Sequence, residues 1–133
     1  MAKEIKIGLT NEAKTIVNEA NIASTMGSGC LRVFATPAMC CLMEKAASEL
    51  MDSLVEEGST TVGTALNIAH TAATPVGMEV MAAAEITAVE GRKISFRVTA
   101  RDESGEIGSG THERFIVYKD KFQAKTDAKS IKA

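Results

Sequence analysis

The stretch TPAMCCLMEKAASELMDSLVEEGSTTVGTALNIAH, Thr36 to His70, changes its hydrophobic period part-way along, and that change decides the fold. In its first part Met39, Leu42, Met43, Ala46, Leu50 and Leu54 fall on one stripe at helical spacing, with Lys45, Glu49, Asp52 and Glu56 opposite. Thr36 in the N-cap position and Pro37 at the first helical position mark the start, and Glu57-Gly58 marks the expected end. A helix of about twenty residues spans ~30 Å, and each leucine buried on its stripe contributes ~1.5 to 3 kcal/mol. From Val62 the spacing becomes two: Val62, Thr64, Leu66, Ile68 and His70 share one face of a strand, and Thr74-Pro75 with Gly77 turns the chain.

Downstream the period stays at two. Met78, Val80, Ala82, Ala84 and Ile86 alternate along a strand from Met78 to Val89 that reaches about 40 Å. Glu90-Gly91-Arg92 makes a tight hairpin into Lys93 to Thr99, where Ile94, Phe96 and Val98 point inward. Asp102 to Gly105 turns into a last strand, Glu106 to Tyr118. Upstream, Ile5, Ile7 and Leu9 share a parity, Ala13 to Asn18 predicts a short strand, and Ala20 to Ala35 predicts a long connection of the kind that serves as a lid or a surface connector. The tail from Lys119 to Ala133, with five lysines and two aspartates, predicts a partly ordered, solvated end. One helix and a series of antiparallel hairpins give an α+β layer structure, a long sheet on one helix. That arrangement looks like a hot-dog fold, in which the sheet wraps around the helix.

Composition sets the outer bounds. A chain of 133 residues with 45% hydrophobic and 24% charged residues predicts one globular domain over residues 1–133. The net charge of -2, the absence of Trp and the single Tyr argue against nucleic acid as a partner. No apolar run approaches a membrane span and the N-terminus carries no hydrophobic signal region, so a cytoplasmic protein without a membrane partner is expected. Cys30, Cys40 and Cys41 lack metal or redox spacing and are expected to be reduced and mostly buried, with no metal site. Gly105, Gly108 and Gly110 fit a turn and a closely approached strand rather than a phosphate loop, which would lead into a helix.

Three polar groups stand out. Thr36 opens the helix, Glu44 lies on the flank of the apolar stripe, angularly between Met51 and Val55, and His70 points inward with Leu66 and Ile68. Spacing alone leaves each with an ordinary reading: a helix cap worth ~1 kcal/mol, a rim charge, a half-buried imidazole with its bonds satisfied. Arg114 reads equally as an outward charge paired with Glu113 or Glu79, and His112, of the same parity, as a structural or interface histidine.

Longer matches weigh further. Phe34-Ala35-Thr36 followed by Leu42-Met43-Glu44, Val62-Gly63-Thr64-Ala65 leading to His70-Thr71-Ala72-Ala73-Thr74-Pro75 and Gly77, Val89-Glu90-Gly91-Arg92, and Glu106 to Arg114 occur in order across residues 30 to 125. Together they resemble the fluoroacetyl-CoA thioesterase-like family of hot-dog thioesterases. The resemblance implies an acyl-CoA thioesterase with Thr36, Glu44 and His70 catalytic and Gly63 and Arg114 at the substrate, Arg114 meeting a phosphate or carboxylate of the CoA portion. It implies a homodimer with the site between subunits and no cofactor apart from the CoA of the substrate. Glu44 would attack the thioester directly or activate a water, Thr36 would hold its carboxylate, and His70 would serve the departing thiolate or steer water. Positions 26 to 31, Met26-Gly27-Ser28-Gly29-Cys30-Leu31, lack the phenylalanines of the fluoroacetyl-specific pattern and leave the acyl group open. Another hot-dog reaction of the hydratase or dehydratase type and a non-catalytic acyl-CoA binding module are the competing expectations.

Overall fold

The computed structural model describes residues 3–130. Five strands, β1 (Thr10–Ile16), β2 (Ser59–His70), β3 (Glu79–Glu90), β4 (Lys93–Asp102) and β5 (Gly105–Tyr118), form one antiparallel sheet in the order β1-β3-β4-β5-β2. Among the described residues three α-helices accompany it: α1 (Ala23–Met26), α2 (Thr36–Asp52) and α3 (Lys119–Asp127).

The sheet packs one face on α2. Met39, Met43, Ala46 and Met51 of the helix are fully buried against Val80, Ala82, Ala84 and Ile86 of β3 and Ile94, Phe96 and Val98 of β4. The inward alternation expected for β3 and β4 is the one observed. Ala82, Ala84 and Ala100 let the helix lie close, while Phe96 and the methionines fill the remaining space, as close packing of an interior requires.

Element boundaries differ from expectation for local reasons. α2 stops at Asp52, short of Glu57-Gly58: the Ser53 hydroxyl donates to the Leu50 carbonyl at 2.6 Å and takes an acceptor the helix would use. Thr36 is the first helical residue and not the N-cap, which is Ala35 in extended conformation without a side-chain bond. β1 starts earlier, at Thr10, and ends at Ile16, where Asn18 and Asn21 fold their side chains back on the Ile16 carbonyl. The connection from Ala20 to Ala35 holds the one-turn α1, closed by Gly27 in the left-handed region, and is pinned by the buried Ile22 and Phe34, which bridge one another. The tail forms α3, none of whose residues is buried, while residues 131–133, like 1–2, lie outside the described residues. Cys30 and Cys41 are exposed and Cys40 half-buried, against the expected burial. No helix among the described residues is long and apolar enough to cross a membrane.

Candidate active site

A bulge in β2 shapes the site. Gly63 faces Arg114 of β5 and Ala65 faces Glu113, so Thr64 is an extra residue in the ladder. The inward face therefore runs Ser59, Thr61, Gly63 before the bulge and Leu66, Ile68, His70 after it, and Val62 and Thr64 do not share the face of His70 as strict alternation predicts. One inserted residue turns both Gly63 and His70 towards α2.

Two groups of side chains result. At the start of α2, Thr36 Oγ1 and the last residue of β2, His70, share a hydrogen bond of 2.7 Å at Nδ1. The hydroxyl that would have capped the helix is spent on the imidazole. His70 Nε2 is buried and has no hydrogen-bond partner. Burial holds the pKa of His70 below the usual histidine value, opposed in part by the Ala72 backbone, so the ring is neutral at neutral pH. Both residues line a cavity of about 350 Å³, whose other walls include Gly29, Cys30, Phe34 and Ala72. The long connection before α2 thus forms one wall of the cavity.

Two turns further along the helix lies the second group. Glu44 Oε2 is 3.6 Å from Arg114 Nη1, its side chain 44% exposed while that of Arg114 is 8% exposed. Arg114 Nε donates to Thr61 Oγ1 at 2.7 Å, and Nη2 donates to the Thr61 carbonyl at 3.0 Å. Arg114 therefore points inward to Glu44 and not outward to Glu113 or Glu79; Glu113 pairs with Lys93 at 3.2 Å. Gly63 completes the group, since a Cβ there would sit 2.6 Å from Glu44 Oε2. Burial lowers the pKa of Arg114 while the charge of Glu44 raises it, and the guanidinium stays protonated.

Thr36 and His70 are thus brought together, and so are Glu44, Gly63 and Arg114. The two groups are eight helical residues apart, about 12 Å of axial rise. Thr36 does not hold the Glu44 carboxylate within the chain. Thr61 and His112 belong to the second group although spacing gave them no such place. The shared parity of His112 and Arg114 was a usable signal; that of Thr61 was hidden by the bulge. No cluster of metal-ligating side chains occurs among the described residues.

The family described as FlK, fluoroacetyl-CoA-specific thioesterase, matches residues 17–120. The chain belongs to the fluoroacetyl-CoA-specific thioesterase family. It is 49% identical over 98 residues to the fluoroacetyl-CoA thioesterase of Streptantibioticus cattleyicolor, 74% of this chain and 70% of that protein. The solved structure of the fluoroacetyl-CoA thioesterase FlK superposes with a TM-score of 0.91 at 37% identity over 97% of this chain and all of that one. A thioesterase-superfamily protein of Thermus thermophilus follows at a TM-score of 0.86 and 29% identity, covering 93% of this chain and 92% of that one. Membership in the family and these superpositions make the five-stranded sheet on one helix a hot-dog fold.

Proposed function

We propose that this family member, a thioester hydrolase, cleaves small acyl-CoA thioesters to free acid and CoA through Thr36, Glu44 and His70. The observation that carries the reading is the pair of half-sites between α2 and β2, each presenting reactive atoms: an unpartnered buried His70 Nε2 beside a cavity, and a half-exposed Glu44 carboxylate between Gly63 and Arg114. Relatives support the ligand: FlK variants were solved with acetyl-CoA and with fluoroacetate and CoA.

In hydrolysis the acyl–sulfur bond breaks, an acyl–oxygen bond forms with the oxygen of water as the net donor, and the thiolate takes the proton that this water gives up. The Glu44 carboxylate supplies the oxygen nucleophile itself or takes the proton of an attacking water. Neutral His70, oriented by Thr36, offers Nε2 to the carbonyl oxygen or the departing sulfur. Gly63 leaves room for the carbonyl at Glu44, and a substrate carboxylate or oxyanion brought there meets Arg114. No cofactor beyond the CoA of the substrate is needed. Single turnover in ¹⁸O-water with rapid-quench mass spectrometry separates the two routes: label in the peptide that carries Glu44, or an acyl group trapped on it, marks the nucleophile, and label confined to the product acid with no acyl-Glu44 adduct marks the base.

One chain holds the half-sites too far apart for a single carbonyl, so the proposal includes a cytoplasmic homodimer in which partner copies complete each other's sites. β2 supports this, because it ends the sheet and leaves a twelve-residue edge unpaired among the described residues. Thiol release from a panel of short and branched acyl-CoAs tests the activity; binding without release leaves a binding module, and turnover of unsaturated esters without release a hydratase. Mixing Glu44→Ala with His70→Ala protein tests the dimer. Recovery of activity by two inactive variants requires sites shared between subunits, and mixtures that stay inactive overturn that arrangement.

A further inference from the structure

His112 is 1% exposed, inward on β5, and the catalytic reading above gives it no part. Its two ring nitrogens are nevertheless committed. Nδ1 lies 2.8 Å from the carbonyl of Ala65, at the β2 bulge. A carbonyl only accepts, so Nδ1 carries the proton. Nε2 lies 3.2 Å from Nη1 of Arg114, which only donates, so Nε2 presents its lone pair. The two bonds independently select the same species, the neutral Nδ1–H tautomer. Phe96, facing His112 across the ladder with ring centroids 5.9 Å apart, fixes the ring plane.

The Nη1 that donates to His112 is the one that lies 3.6 Å from Glu44 Oε2. Glu44 is a half-exposed side chain on a helix surface, free to swing unless something holds it. Arg114 is the side chain that holds it, and Arg114 is itself fixed at three points: twice by Thr61 and once by His112. A Cβ at Gly63 would approach Glu44 Oε2, His112 Cε1 and Arg114 Nη1 at 2.6, 3.3 and 3.4 Å, so the three pack around that one backbone position.

We propose that His112 is a positioning residue for Glu44, acting through Arg114, and that its tautomer, set by the Ala65 carbonyl at the bulge, aims the guanidinium at the reacting carboxylate. This rests on the hydrolase reading above. Burial also holds His112 in the neutral form, with the Arg114 charge adding to that effect and the Ala65 backbone opposing it.

The test uses the full chain. His112→Phe keeps an aromatic ring and removes the acceptor for Arg114; His112→Gln keeps an acceptor at the same reach. The expected result is a fall in kcat of about tenfold to a hundredfold for His112→Phe with KM within about twofold, and recovery of most of kcat in His112→Gln. Circular dichroism and a melting curve establish that each variant is folded. Nitrogen NMR of the wild-type imidazoles gives a readout apart from turnover: His112 protonated on Nδ1 alone at neutral pH. A folded His112→Phe at full rate, equal losses in both variants, or an Nε2–H tautomer overturns the inference. A wild type that releases no thiol overturns the hydrolase reading and the positioning role of His112 with it.

Discussion

Two glycines on facing strands have opposite consequences when a methyl group is added. At Gly63 the nearest atom to a new Cβ is Glu44 Oε2, the far end of a flexible and half-exposed side chain. Gly63→Ala should fold with a melting temperature within a few degrees of wild type, while the displaced carboxylate lowers kcat by about tenfold or more; thermal melts and thiol release measured together check this. At Gly110 the added Cβ meets the backbone of β2, 2.7 Å from Ile68 Cα, and no side chain can swing away. Gly110→Ala should therefore cost about 3 kcal/mol of stability, the upper part of the range for overpacking, read from urea unfolding. At Thr36 the hydroxyl is what matters: Thr36→Val loses the bond to His70 Nδ1 and should lose rate, whereas Thr36→Ser keeps the bond and most of the rate.

The bulge explains, at the level of whole elements, which parts of the fold and site the sequence displayed. α2, β3 and β4 were legible because each is long, regular and buried on one face, so Met39 to Leu50 and Val80 to Ile86 write their periods directly. β2 was half legible: its existence and the inward aim of His70 showed, but an inserted residue reverses parity, and the one local mark, Gly63 inside a strand pattern, fits a close approach as well as a bulge. Thr61 was hidden for that reason. The bond from Thr36 to His70 and the path from His112 to Glu44 join residues 34 and 68 positions apart, which no local spacing records. The bulge itself is testable. Thr64→Ala keeps the extra residue and loses only an exposed hydrogen bond to the Glu113 carbonyl, a cost of ~1 kcal/mol or less. Deleting Thr64 forces one parity along β2 and turns either Thr61 and Gly63 or His70 out of the site, so thiol release should drop to background.

For the molecule as a whole, acid is the condition that probes these groups together. His70 and His112 both have pKa values held down in the fold, chiefly by burial, whereas the unfolded chain takes up protons on them near pH ~6.5. Below that pH the unfolded state binds more protons than the folded one, so stability falls as pH falls and levels off only below the folded values. From about one unit above pH ~6.5 both rings are neutral in both states and contribute no slope. Asp102 acts lower on the scale. The Thr74 hydroxyl donates to its Oδ2 at 2.7 Å and lowers its pKa in the fold, with the Ser104 N–H adding to this at Oδ1. Its stabilising contribution is complete above the ordinary aspartate value and is lost as pH falls through the lowered one. Melting temperature against pH should therefore be level above about pH 7.5, then decline in two stages. His112→Gln should shrink the first stage and leave the second, and Thr74→Val should do the reverse. A single decline confined to the carboxylate range would mean that the fold does not hold the pKa of either histidine down.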